Sequence, residues 1–205
     1  TASGAVLEAI WNEKPIIALK NMYFNYLFNK FGSLGILESD IDSITIDNYY
    51  RIIEMKTARF MAACAKLGAA VAKMNTQQSD VLYDCGMQLG YAFQITDDAM
   101  DYLNAADITG KDAGNDFING KITLPLLHLL EIVDNQERLL LKNYAKTPDN
   151  NNWNYVASKA KEYNVVDYCI SIASNYVKKA MEIIAMFPDN QYKTVLTELA
   201  LFLVD

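Results

Sequence analysis

Apolar positions along this chain recur at helical rather than strand spacing almost from end to end. From Ile16 to Phe31, the residues Ile17, Leu19, Tyr23, Phe24, Leu27, Phe28 and Phe31 fall at the three- and four-residue steps that line one face of a helix. The pattern returns from Tyr49 to Lys73 in Ile52, Met55, Ala58, Phe60, Ala62, Leu67 and Val71. It continues from Ser79 to Asn104 and through a leucine-rich segment from Thr123 to Tyr144. Three further helices are expected at 153–163, 165–187 and 190–204, the last two parted by Pro188-Asp189. The intervening stretches are polar. Thr45 and Asp47 are candidate caps for the helix at 49–73, Asn75 to Ser79 is a helix-start loop, and Thr147 to Asn152 is a polar loop. A short helix at 4–11 and a turn at Asn12-Glu13-Lys14-Pro15 open the chain. No segment alternates with period two and no repeat stands out, so the expected class is all-α.

Small residues refine the packing. Ala62, Ala63, Gly68, Ala69 and Ala70 let a neighbouring helix approach 49–73, and Gly86, Gly90, Ala92 and Phe93 make a close-packing face on 79–104. At 205 residues and 52% hydrophobic content the chain fits one domain with a real core. No apolar run approaches the roughly 18 residues of a membrane span. The net charge is −7 and no basic stripe appears, which argues against nucleic acid as a partner. Cys64, Cys85 and Cys169 form no close pair and read as buried, reduced thiols of a cytoplasmic protein. His128, the one histidine, lies among leucines and reads as a packed or half-buried side chain without a catalytic role.

Chemistry concentrates between Gly90 and Pro125. Asp97, Asp98 and Asp101 stand at i, i+1 and i+4. On a helix the first and last share a face, and the middle one is displaced by about 100°. Two carboxylates about 4 Å apart repel by roughly 4 kcal/mol in a medium of intermediate dielectric. Such a cluster calls for cations, and all-oxygen ligands favour a hard ion such as magnesium or calcium. Beyond an expected helix break near Asn104 to Gly110 come Gly110-Lys111, Gly114, Asp116, Gly120-Lys121 and Thr123. Glycines admit close backbone approach, and lysines supply point charges for phosphate. Gln94 lies one turn before the acids. The bland reading is an acidic triplet on a solvated helix end. Against it, the acids extend a helix whose earlier turns are small and apolar. The group reads as a grip on a diphosphate through metal ions and lysines.

The three blocks Phe93-Gln94/Asp97-Asp98/Asp101-Tyr102, Gly110-Lys111/Gly114/Asp116 and Gly120-Lys121/Thr123/Pro125 together resemble the second aspartate-rich region of the trans-type polyprenyl diphosphate synthases. Lys56-Thr57-Ala58 resembles the family's Lys-Thr pair, although by itself it reads as a solvated lysine and an ordinary helical threonine. The resemblance runs through most of the chain and implies an all-α, isoprenoid-synthase-type helical bundle around a central cavity. It implies magnesium as cofactor, isopentenyl diphosphate and an allylic diphosphate of farnesyl or geranyl type as substrates, and a homodimer. Asp97, Asp98 and Asp101 become the metal ligands, with Asp97 foremost and Asp116 a helper behind them. Lys56, Thr57, Gln94, Lys111 and Lys121 become the diphosphate-binding residues, and Lys56 and Asp97 the catalytic pair. The overall texture is similar to the long-chain synthases of quinone side-chain (ubiquinone) biosynthesis, whose product partitions into membranes.

The chain departs from the family's pattern in three places. The family's first aspartate-rich motif with its paired arginines is absent, and Lys20-Asn21 stands where a Gly-Asp is usual. Leu37-Glu38-Ser39-Asp40 runs abruptly to Asp42 where the family has a further helix. The expectation is a single helical domain over 1–205 that lacks the N-terminal helices and the first motif, with segments missing at about Ser3/Gly4 and Glu38/Ser39. Two other readings stay open: a catalytically degenerate partner subunit, and a terpene cyclase on the same bundle.

Overall fold

The computed structural model describes residues 16–19, 35–38, 41, 44–103 and 113–205. The expected helix at 4–11, the turn at 12–15, Lys20-Asn21, the joins near Ser3/Gly4 and Glu38/Ser39, and Lys111 with its loop lie outside these residues. Within the expected helix at 16–31, Ile16–Leu19 is instead a strand, β1, paired in parallel with β2, Gly35–Glu38. The correction has a simple cause. A four-residue apolar run headed by two β-branched isoleucines fits either period, and β-branched residues favour extended backbone. The remaining described elements are helical.

A capping box opens α1, Ile46–Ile53. Thr45 Oγ1 accepts from the Asn48 N–H at 3.2 Å, and Asn48 Oδ1 accepts from the Thr45 N–H at 3.0 Å. Thr45 is thus the cap and Asp47 is not. The helix runs on through a π turn, Glu54–Ala58, into α2, Arg59–Val71. A second capping box, Asn75 with Gln78, opens α3, Thr76–Met100. These 25 residues make the axis of the molecule, flanked by α2 on one side and by α8, Val165–Ala185, on the other.

The α2–α3 contact is backbone against backbone. A Cβ on Gly86 would sit 2.6 Å from Ala62 Cα, and one on Gly90 would sit 2.4 Å from Ala58 Cα. Two small residues one turn apart on each helix therefore set the separation. On the α8 side, Cys85, Leu89 and Ala92 join Ala173, Val177 and Ala180 in the core.

The expected helix at 123–144 is two helices, α5 (Leu124–Ile132) and α6 (Asn135–Lys146), after the four-residue α4 (Asn115–Ile118). The break lies at Val133-Asp134. Asp134 Oδ1 accepts from the Gln136 and Glu137 N–H groups at 2.8 and 2.9 Å, and so starts a new helix. Arg138 folds back to donate to the Leu130 and Val133 carbonyls at 2.6 and 3.1 Å, which closes the old one. α7 (Asn150–Glu162) and α9 (Gln191–Phe202) complete the bundle.

Not every expected core residue is inside. Ala58, Ala62 and Ala69 are buried, but Phe60, Leu67 and Val71 are 70%, 65% and 77% exposed. Phe93 and Cys64 are exposed as well. The apolar positions of 49–73 wrap around the helix, and only the stripe of small side chains can face α3 at such short range.

These contacts predict opposite outcomes for two glycines. Gly90→Ala should destabilise the chain by about 1–3 kcal/mol, because the added methyl meets fixed backbone. Gly68→Ala, where an added Cβ meets nothing within 4 Å, should stabilise it by about 0.4–1 kcal/mol. Urea unfolding of the two variants checks both signs.

Candidate functional site

The C-terminal turns of α3 carry the site, and helix geometry distributes its side chains. Gln94 and Asp98, four residues apart, point into the molecule and are buried, with Asp98 3% exposed. Asp97 is exposed and Asp101 is half-buried. Asp98 is buried against the helix made of α1, the π turn and α2. Tyr49 of α1 donates its hydroxyl to Asp98 Oδ2 at 2.7 Å. Gln94 Nε2 donates to Asp98 Oδ1 at 2.9 Å and reaches Asp97 Oδ2 at 3.4 Å. Gln94 Oε1 in turn accepts from Thr57 Oγ1 at 2.7 Å. The hydrogen bonds thus run from Thr57 to Gln94 to Asp98, and Tyr49 closes the far end.

Burial pushes the Asp98 carboxyl up to about 6, against the pull of the Tyr49 and Gln94 hydrogen bonds and the Lys56 charge. Burial also raises the Tyr49 hydroxyl far above its ordinary value, and the Asp98 charge adds to this. Two buried groups resist ionisation, and a hydrogen bond between them answers both. The π turn that carries Lys56 and Thr57 is held by Glu54, which accepts from Arg59 Nε at 2.8 Å and from the Tyr91 hydroxyl at 3.2 Å.

Asp101 has a different occupation. Its Oδ1 and Oδ2 accept from the Asn115 and Asp116 N–H groups at 3.1 and 2.9 Å, and its carbonyl accepts from the Gly114 N–H at 3.0 Å. Burial raises its carboxyl, and these backbone donors pull it back. Lys121 is exposed and forms an ion pair with Asp116.

The structure therefore joins Thr57, Gln94 and Asp98 and sets Lys56 close enough to act on Asp98. Lys121 and Asp101 turn to the segment after the acids, and Lys111 lies outside the described residues. Tyr49 escaped the sequence reading. A tyrosine on an apolar face reads as packing, and no spacing in the sequence marks it out. His128 is half-buried and stacks on Tyr168 with ring centroids 3.5 Å apart.

Among the described residues, no group of three or more His, Cys, Asp or Glu side chains is arranged to hold a metal ion by itself. The donors present are carboxylate, hydroxyl and amide oxygens, with Asp97 at the surface. That set suits magnesium, which is commonly held by one or two carboxylates together with the phosphates of its substrate. No helix among the described residues is long and apolar enough to cross a membrane.

Known proteins resemble this chain over most of its length. A family model described as polyprenyl synthetase matches residues 32–160. An octaprenyl diphosphate synthase from Haemophilus influenzae is 34% identical over 159 residues, which cover 77% of this chain and 48% of that protein. Component 2 of heptaprenyl diphosphate synthase from Geobacillus stearothermophilus is 31% identical over 76% of this chain and 48% of its own. The crystal structure of a polyprenyl synthase from Caulobacter crescentus, complexed with calcium and isoprenyl diphosphate, superposes with a TM-score of 0.77 at 30% identity. It covers 98% of this chain and 59% of that one. The chain spans about half the length of the curated relatives it matches.

The Asp98 environment has a pH signature. A carboxyl whose folded value is raised stabilises the fold at low pH, where it is protonated, and that contribution is lost as pH rises through the folded value. Without added metal, stability should fall between about pH 4 and 6 by on the order of 2–3 kcal/mol through this residue. Thermal melts across that range should show the fall in the unaltered chain and its loss in Asp98→Asn.

Proposed function

The chain belongs to the polyprenyl synthetase family, and from that membership we propose that it is a prenyltransferase that condenses isopentenyl diphosphate with an allylic diphosphate. The octaprenyl and heptaprenyl relatives support a long-chain polyprenyl diphosphate as product. The observation that carries the reading is the hydrogen-bonded link from Thr57 through Gln94 to Asp98. It joins the Lys56-Thr57 element and the acidic helix end, two pieces 37 residues apart in sequence, into one hydrogen-bonded polar group.

In this reaction the allylic C–O bond breaks and its electron pair leaves with the diphosphate. The double bond of isopentenyl diphosphate then forms the new C–C bond, and a proton is lost from the adduct to the released diphosphate. Lys56, exposed on the π turn, offers its ammonium to the leaving diphosphate. Thr57, half-buried beside Lys56, and Gln94, hydrogen-bonded behind it, orient the phosphate oxygens. Lys121 and Lys111 supply further cationic contact from the glycine-rich segment. Asp97, surface-exposed and one turn beyond Gln94, is the principal metal ligand, with Asp98 and Asp101 beside it. Bound there, magnesium supplies Lewis-acid neutralisation of the leaving group. The buried apolar wall behind Asp98, which includes Ile95 and Ala99, keeps water from the cationic intermediate.

Titration calorimetry tests the reading. The chain should bind inorganic diphosphate only with magnesium present, and Asp97→Ala should weaken that binding at least tenfold with unchanged thermal stability. Equal heats with and without magnesium would sink the proposal. With farnesyl diphosphate and labelled isopentenyl diphosphate, elongation products distinguish chain extension from cyclisation.

A further inference from the structure

Tyr49 and Thr57 stand eight positions apart on one continuous helical path. In an unbroken α-helix, eight residues turn through about 800°, which leaves the two side chains roughly 80° apart around the axis. The π turn Glu54–Ala58 takes up one extra residue between them. The remaining rotation is about 700°, within roughly 20° of two whole turns. Both hydroxyls therefore face α3, and the hydrogen bonds show it. Thr57 donates to Gln94 at 2.7 Å, and Tyr49 donates to Asp98 at 2.7 Å.

We infer that Tyr49 is a positioning residue for the acidic cluster: its buried hydroxyl, brought into register by the π turn, fixes the Asp98 carboxylate in the orientation that receives a divalent cation with diphosphate. The inference rests on the prenyl-transfer reading above and adds a residue to it. Each Asp98 oxygen holds one donor, Tyr49 on Oδ2 and Gln94 on Oδ1, so the plane of the carboxylate is set from both ends. Each oxygen retains a second lone pair for a cation. Tyr49 is buried and its hydroxyl is engaged by Asp98 Oδ2, so it acts through that carboxylate. Outer partners that orient a metal-binding carboxylate typically change metal affinity by 10- to 100-fold when removed.

The test measures the magnesium concentration at half-saturation of inorganic diphosphate binding. Five chains are compared: the unaltered one, Tyr49→Phe, Tyr50→Phe, Asp98→Asn, and Tyr49→Phe combined with Asp98→Asn. Phenylalanine keeps the ring and removes only the hydroxyl. Tyr50 is the control for losing a hydroxyl from the same helix, since it packs against Tyr91 and Tyr176 rather than Asp98. Tyr49→Phe should raise the magnesium midpoint about tenfold or more while diphosphate still saturates at the same stoichiometry. Tyr50→Phe should leave the midpoint unchanged, and Tyr49→Phe should add nothing once Asp98 is already asparagine. A merely structural Tyr49 would lower the melting temperature of Tyr49→Phe and leave the midpoint in place, and that result overturns the inference alone. Absence of any magnesium-dependent binding in the unaltered chain overturns the prenyl-transfer reading and this inference with it.

Discussion

The contact of Gly86 and Gly90 with Ala62 and Ala58 governs the arrangement of everything around it. Helix axes usually stand 8–10 Å apart, and the shortest separations need residues without bulk at the crossing. Here a Cβ on either glycine would overlap the backbone of the facing helix. Short side chains gain from that closeness. A threonine hydroxyl reaches one bond beyond Cβ, yet Thr57 meets Gln94 across the gap. Ala58, the residue that touches Gly90, is the immediate neighbour of Thr57. The packing of the two helices and the polar link at the site are therefore one structural fact.

The three acids at the end of α3 are not equivalent, and the difference follows from helical angle. Asp98 points inward, where desolvation opposes its charge and where Tyr49 and Gln94 donate to it. Asp97, one position earlier, points to solvent. The mutual repulsion expected of three clustered carboxylates is thus reduced, since each has its own surroundings. On the proposed reading, what the cluster would offer a cation is one open carboxylate beside one held carboxylate. That combination suits an ion that brings phosphate oxygens with it better than an ion that needs a complete protein cage.

The helices and the identity of the acidic region were legible because both depend on local spacing. Period and breakers placed helices at 79–104, 153–163, 165–187 and 190–204, within a few residues of the observed 76–100, 150–162, 165–185 and 191–202. The break at Asp134 was hidden because leucine spacing continues on both sides, and only the Asp134 cap and the Arg138 side chain reveal it. The strand at Ile16–Leu19 was hidden because four apolar residues carry no period. At the site, Gln94, Thr57 and Asp98 were recognisable by residue type, whereas Tyr49 was not. Its role depends on a π turn, and nothing in Glu-Met-Lys-Thr-Ala announces one. The exposure of Phe60, Leu67 and Val71 was equally invisible, because periodicity shows that a helix has an apolar side and does not show which part of it finds a neighbour.

Asp101 shows how the acidic helix end is tied to the core. Its carboxylate and carbonyl together collect the N–H groups of Gly114, Asn115 and Asp116. Gly114 adopts a left-handed conformation, φ +81°, and lies against the Trp153 indole so closely that a Cβ would overlap the ring. Trp153 itself packs edge-on to Tyr102, with centroids 4.9 Å apart, and against Phe117. Tyr102 follows Asp101, and Phe117 follows Asp116. The segment that leads to Lys121 is thereby clamped at both ends of one aromatic group. A carboxylate engaged by two backbone donors is a weak candidate for sole custody of a cation, but it sets the position of the Asp116–Lys121 pair relative to Asp97. On the proposed reading the third acid of the motif serves the site chiefly by holding the following segment in place, and the ligand role falls first to Asp97.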